Sequence, residues 1–187
     1  MIFFYQKVTR VSSFLALILS LILTTACSGK EGDFSSKKIS ENIENIDVCF
    51  SAVEDCRALI LKKILSANNT IDVAVYSLTN IELSRALIEA HSKGIITRVI
   101  SDDKQSSGKY SKTQYLADNG IPVRYDGSTG YMHHKFTVID NAVILTGSYN
   151  WSNSAENKND ENLLLIRDKK LARKYTNEFE RLWEKCK

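Results

Sequence analysis

The sequence predicts an α/β protein: a mixed β-sheet flanked by helices. Three observations carry that prediction. Short β-branched runs alternate with segments whose apolar residues recur at helical spacing, a hairpin pattern centres on Asp140-Asn141, and the chain closes on a long amphipathic segment. Strand-helix-strand alternation in the first half calls for parallel pairing. The late hairpin adds antiparallel strands, so the sheet is expected to be mixed.

The elements follow in order. Asp47–Phe50 reads as a short strand, and Glu54–Ala67 as a helix with Cys56, Leu59, Ile60, Ile64 and Ala67 at helical spacing. Ile71–Tyr76 is a strand, Ile81–His91 a helix closed by Gly94, and Ile95–Ile100 the next strand. Asp102–Ser111, rich in Ser, Lys and Gly, reads as a mobile loop beside the site. A helix around Lys112–Asn119 stops at Gly120, and Ile121–Tyr125 follows as a strand. Tyr131–Ile139 is expected to pair with Ala142–Leu145 across the Asp140-Asn141 turn. Asn162–Arg167 is a strand, and Lys169–Trp183 is the closing helix, with Phe179 and Trp183 in the core.

The N-terminal stretch has a different character. Lys7 and Arg10 precede an almost unbroken apolar run, Val11 to Leu23, and Thr24-Thr25-Ala26 then supplies small residues before Cys27. This layout resembles a bacterial lipoprotein signal, in which Cys27 is lipidated and becomes the new N-terminus. Thr24 stands where such signals usually carry Leu; ordinary secretion and a retained anchor are the alternatives. The expected organisation is a signal over 1–26, a lipidated cysteine and polar tether over 27–45, and a catalytic domain over 46–187. Which face of the envelope holds the domain is left open. Cleavage would remove two positive charges and no negative ones, lowering the formal charge from +3 to +1. A polyanionic partner would then be drawn by a local patch, such as Lys104, Lys109, Lys112 and Arg124, rather than by net charge.

Chemistry is concentrated in one stretch. His133 and Lys135 lie two apart on a β-branched segment, so both are expected on one face of a strand. A nucleophile beside a fixed positive charge suits attack on phosphorus. Imidazole is competent near neutral pH, with an unperturbed pKa of about 6.5. The spacing His133-x-Lys135-x4-Asp140-x6-Gly147-Ser148-x-Asn150 resembles the signature of the phospholipase D superfamily, whose members cleave or transfer phosphodiesters. Ile71–Asn80, Gly120–Val123, Gly147–Ser152 and Asn159–Leu163 also look similar to that family, above all to its small one-motif bacterial endonucleases.

The resemblance implies a phospholipase D-like fold and assigns roles. His133 would form a phosphohistidine, Lys135, Ser148 and Asn150 would hold the non-bridging oxygens, and Glu161 would orient the histidine. Asp140 and Gly147 belong to the signature as structural supports. A second imidazole must protonate the leaving oxygen, and the chain has three histidines. His134 is expected to point away and pack behind the site, and His91 to sit at a solvent-facing helix end. The resemblance and the histidine count thus imply a homodimer, in which His133 of a second copy is the general acid. No cofactor is expected, and no convincing carboxylate cluster marks a metal site.

The expected substrate is DNA or RNA, cut with low sequence specificity. Phosphatidyl lipids or cardiolipin are the alternative, and a catalytically inactive surface lipoprotein that binds phosphodiesters is the reading from another class. Trp151 reads as core or dimer contact ahead of a base-stacking platform, and Asn153 and Asn159 as polar loop residues near the site. With Cys27 assigned to lipid, Cys49, Cys56 and Cys186 allow three pairings; Cys56–Cys186 is preferred, tying the first helix to the last.

Overall fold

The computed structural model describes residues 45–127 and 129–186. The expected signal, Cys27 and the tether up to residue 44 lie outside them. The strands are β1 (Ile46–Phe50), β2 (Thr70–Val75), β3 (Ile96–Asp102), β4 (Val123–Asp126), β5 (Lys135–Ile139), β6 (Val143–Gly147) and β7 (Asn162–Arg167). The helices are α1 (Cys56–Leu65), α2 (Ile81–Ser92), α3 (Asp103–Ser106), α4 (Thr113–Asp118), α5 (Asn153–Asn157) and α6 (Lys169–Lys185). One sheet runs in the order β1-β7-β6-β5-β2-β3-β4. Its β2-β3-β4 half is parallel and the remaining pairs are antiparallel, the mixed sheet that the sequence predicts.

Alternation along each strand feeds two cores, one per face. On one face Val73, Val75 and Leu165 meet Ile60 and Ile64 of α1, Leu83 and Leu87 of α2, and Leu116 of α4. On the other, Ala74, Ile100, Val138 and Ile144 meet Ala172, Phe179 and Leu182 of α6. A fully buried Ile or Leu of this kind contributes roughly 1.5–3 kcal/mol. Helix α6 is also fixed by charge. The Arg98 guanidinium on β3 binds Asp72 (2.8 and 3.0 Å) and Glu180 (2.7 and 3.2 Å) and lies 4.8 Å from the Phe179 ring centre.

The β5–β6 hairpin turns where expected. Asp140 and Asn141 both have positive φ (53° and 51°), a conformation that Asp and Asn tolerate better than other non-glycine residues. Two readings fail locally. The stretch after β3 is not wholly irregular: Asp102 caps a one-turn helix, α3, by accepting from Gln105 N (3.1 Å). His91 is half-buried against the Gly120 turn with its Nδ1 enclosed, not a solvent-facing helix end.

The preferred disulfide is also corrected. Cys49 pairs with Cys56, and Cys186 is a buried free thiol. The sheet explains why. Cys49 and Cys56 belong to the core beneath α1 and α2, whereas Cys186 sits under α6 on the opposite face. A Cys56–Cys186 bond would have to cross the sheet.

Candidate active site

The parallel strands β2 and β3 end at Val75 and Asp102, and β5 begins beside them, Lys135 pairing with Val75. Ligand sites of α/β sheets gather at such carboxyl ends. The chain entering β5 is tied down twice: Met132 N donates to Asp102 Oδ2 (3.1 Å), and Tyr76 N donates to the His134 carbonyl (2.8 Å). His133 lies between these ties. It precedes the strand rather than belonging to it, so strand alternation does not set its direction.

Side-chain contacts set it instead. The Lys135 ammonium lies 2.9 Å from His133 Nδ1 and 3.2 Å from Nε2, and donates to the His133 carbonyl (2.8 Å). The Tyr76 ring packs against the imidazole at a centroid distance of 4.4 Å and lies 5.0 Å from Lys135 Nζ. His133 is exposed and Lys135 half-buried. Burial pushes the Lys135 ammonium below its usual pKa, and the charge of Glu161 opposes that shift. Lysine and histidine thus meet as the signature requires, although by a different local route.

The remaining signature residues divide into holders and held. Asp140 closes the far end of the hairpin, accepting from the backbone N–H groups of Asn68 (2.9 Å), Asn69 (2.7 Å) and Thr70 (2.9 Å). Partial burial disfavours its charge, but these donors outweigh it and hold the carboxyl below its ordinary range. Gly147 is required by close approach. A Cβ there would lie 2.2 Å from the Asn162 carbonyl oxygen, so any side chain would force β6 and β7 apart. Ser148 Oγ accepts from Asn162 N (3.1 Å), which leaves its own proton for another acceptor. Asn150 Oδ1 is enclosed without a partner among the described residues. Glu161 Oε1 accepts from Asn159 Nδ2 (2.8 Å), and among the described residues no hydrogen bond joins Glu161 directly to His133.

Two hollows lie about the site: the smaller is lined by the pair itself, and the larger by Tyr76, which packs against His133. An open cleft of about 810 Å³ is lined by Tyr76, Gln105, Tyr110, Lys112, Asn150, Asn153 and Asn159, among others. A smaller hollow of about 390 Å³ lies towards α6, with Phe136, Leu171 and Tyr175 in its walls beside His133, His134 and Lys135. His134 turns to this second side, 3.4 Å from Glu178 and edge-on to Phe136, as a packing residue would. Trp151 is core, and its carbonyl accepts from Thr79 N and Asn80 N. Lys104 and Lys109 rest over the rings of Tyr131 and Tyr110 at the rim, whereas Arg124 binds the Trp183 carbonyl away from it. Asp102 and Tyr76 seat His133: Tyr76 lies in the family-like segment Ile71–Asn80, whereas the one signal for Asp102 is its place at a strand end.

Comparison with known proteins agrees with this geometry. Residues 60–183 match the family model described as cardiolipin synthase, PLD-like domain. The chain is 38% identical over 151 residues to a mitochondrial cardiolipin hydrolase of Xenopus tropicalis, covering 81% of this chain and 69% of that protein. It is 34% identical over 131 residues to a phospholipase D of Rickettsia prowazekii, covering 70% and 64%. The matched part spans between about half and two thirds of the length of these and the other curated relatives. Among solved structures, Nuc from Salmonella typhimurium, a phospholipase D family member, superposes with a TM-score of 0.73 at 31% identity, covering 76% of this chain and 95% of that one. NucT from Helicobacter pylori gives 0.68 at 27% identity, covering 75% and 96%. The His-Lys-Asp signature, the mixed sheet that carries it and these similarities lead to one conclusion: the chain belongs to the phospholipase D superfamily.

Proposed function

We propose that the protein is a metal-independent phosphodiesterase, and first of all an endonuclease of low sequence specificity. The observation that supports this choice most is the large cleft walled by Asn150 and by Tyr76, the ring that packs against His133. Its walls are mainly hydroxyls and amides with Lys112, the lining expected for a solvated phosphodiester backbone rather than for acyl chains. A His133 ring nitrogen attacks phosphorus, forming a P–N bond as the P–O bond to the leaving group breaks. Lys135, Asn150 and the Ser148 hydroxyl stabilise the charge building on the non-bridging oxygens. The leaving oxygen takes a proton from His133 of the partner subunit in a homodimer. That same imidazole then deprotonates the water that releases the phosphohistidine. The dimer is supported by the exposure of His133 and by the engagement of His134 with Glu178.

A second reading, hydrolysis of cardiolipin or other phosphatidyl lipids, is favoured by the cardiolipin hydrolases among the relatives and by the more apolar hollow towards α6. The same residues would perform the chemistry. Lipidation at Cys27 of an exported chain would hold the domain beside such lipids; a shift in mass after labelled-lipid incorporation, lost in Cys27→Ala, tests that part. The substrate is tested by incubating the domain in EDTA with single-stranded DNA, RNA and cardiolipin vesicles. Preferential cleavage of nucleic acid supports the first reading and preferential loss of cardiolipin the second. Binding of all three without product would support an inactive binding protein.

A further inference from the structure

Ser51 carries no motif, yet it holds the site's carboxylate segment from both sides. Its backbone N–H donates to the Glu161 carbonyl (3.1 Å), and its Oγ accepts from Glu161 N (3.1 Å). The hydroxyl proton goes to the Asn159 carbonyl (3.0 Å). One residue, 8% exposed, therefore fixes the backbone on either side of Asp160. Asn159, so placed, turns its side-chain amide onto Glu161 Oε1 (2.8 Å). Ser51 thus shares in holding the carboxylate, together with the Ser154 carbonyl, which accepts from Asn159 N (3.0 Å).

What holds Ser51 is the β1–β7 ladder and a disulfide rather than a core of its own. It sits in the turn between β1 and α1, and β1 is an edge strand that buries only Cys49; Ile46, Val48 and Phe50 stand exposed. Such a strand has little packing of its own to resist fraying. Cys49, paired with Leu163, is bonded to Cys56, the fully buried first residue of α1. The covalent link supplies what burial does not.

We propose that the turn closed by Cys49–Cys56 is a brace for the active site, with Ser51 as a positioning residue for Glu161, so that activity depends on the oxidation state of this cysteine pair. A dithiol reductant would convert the disulfide to two thiols and itself become a disulfide. No atom of the catalytic group would change, yet β1 and Ser51 would loosen and Glu161 would drift from Lys135. The activity arm of this proposal rests on the phosphodiesterase reading; its geometry does not.

The experiment compares wild type, Ser51→Ala and wild type reduced with dithiothreitol. The first readout is competitive acetylation of Lys135 across pH, which needs no turnover. Glu161 raises the Lys135 pKa, so losing the brace should move Lys135 titration to lower pH in both perturbed samples. The second readout is kcat, expected to fall about tenfold with KM little changed, the scale of losing a group that orients a reacting residue. Reducing Ser51→Ala should add little, because both changes remove one linkage. Unchanged Lys135 titration in Ser51→Ala and in reduced wild type would overturn the proposal, even if melting temperatures fell. Should wild type cleave no phosphodiester, the function reading fails and the Lys135 titration alone decides this one.

Discussion

Asp140 and Glu161 are both carboxylates brought by the family resemblance, and they are used in opposite ways. Asp140, at the closed end of the β5–β6 hairpin, is engaged by three backbone N–H groups that tie the α1–β2 connection to the turn. Glu161, just before β7 and near the open end, accepts at its carboxylate from one side-chain amide among the described residues, and its charge reaches Lys135. The first carboxylate is consumed by architecture. The second keeps an orientation and a charge available to the reacting groups. Neighbours rather than residue type thus decide which role a carboxylate takes.

The largest effect should come from the open end. His133→Asn should lower phosphodiester cleavage by about 10³-fold or more, since it removes the nucleophile, with little change in melting temperature because the ring is exposed. At the closed end the pattern should invert. Asp140→Ala should cost about 3 kcal/mol in denaturant unfolding, through loss of charge-assisted bonds to backbone donors, with kcat near wild type for the folded fraction. That penalty has a pH window. The folded pKa of Asp140 is depressed, so its contribution is fully present above the unfolded value of about 3.9 and is lost as pH falls through the folded value. The gap between wild type and Asp140→Ala should therefore close in strongly acidic buffer; a gap as wide there as at neutral pH would show that the charge is not what holds the turn.

Smaller effects sharpen the contrast. Glu161→Gln should reduce kcat about 10- to 100-fold and move Lys135 titration to lower pH, with unfolding nearly unchanged. If it instead unfolds the protein as Asp140→Ala does, the two carboxylates do the same work. His134→Ala should change the rate by no more than about threefold, because its Glu178 contact lies on the α6 side and is half-exposed. The rate should also be bell-shaped in pH, because one imidazole must be neutral and its partner protonated. A flat profile from about pH 5 to 9 would remove the two-histidine scheme.

Local signals made much of this legible in the sequence. Strand β7 runs over Asn162–Arg167 as read, and the Asp140-Asn141 turn falls where two residues tolerant of left-handed backbone stand together. What escaped depended on other elements. The disulfide has no local signature, because what separates Cys56 from Cys186 is the sheet that lies between them. Helix α5 is five residues started by the Ser152 cap, too short to show a period. Strand alternation gave the right meeting of His133 and Lys135 for an incomplete reason, since the strand begins at Lys135 and Asp102 and Tyr76 seat the residues before it. Ser51 gives no local signal because its two partners, Asn159 and Glu161, lie more than a hundred residues away.

The most direct test of the central claim is to trap the intermediate. The domain would be mixed with phosphorus-labelled substrate in EDTA and quenched in alkali, which preserves the P–N bond of a phosphohistidine, and the peptides mapped by mass. A substrate-derived phosphoryl group on the peptide carrying His133, absent from His133→Asn, is the predicted result. Turnover with the label on another residue, or undiminished turnover by His133→Asn, would contradict it.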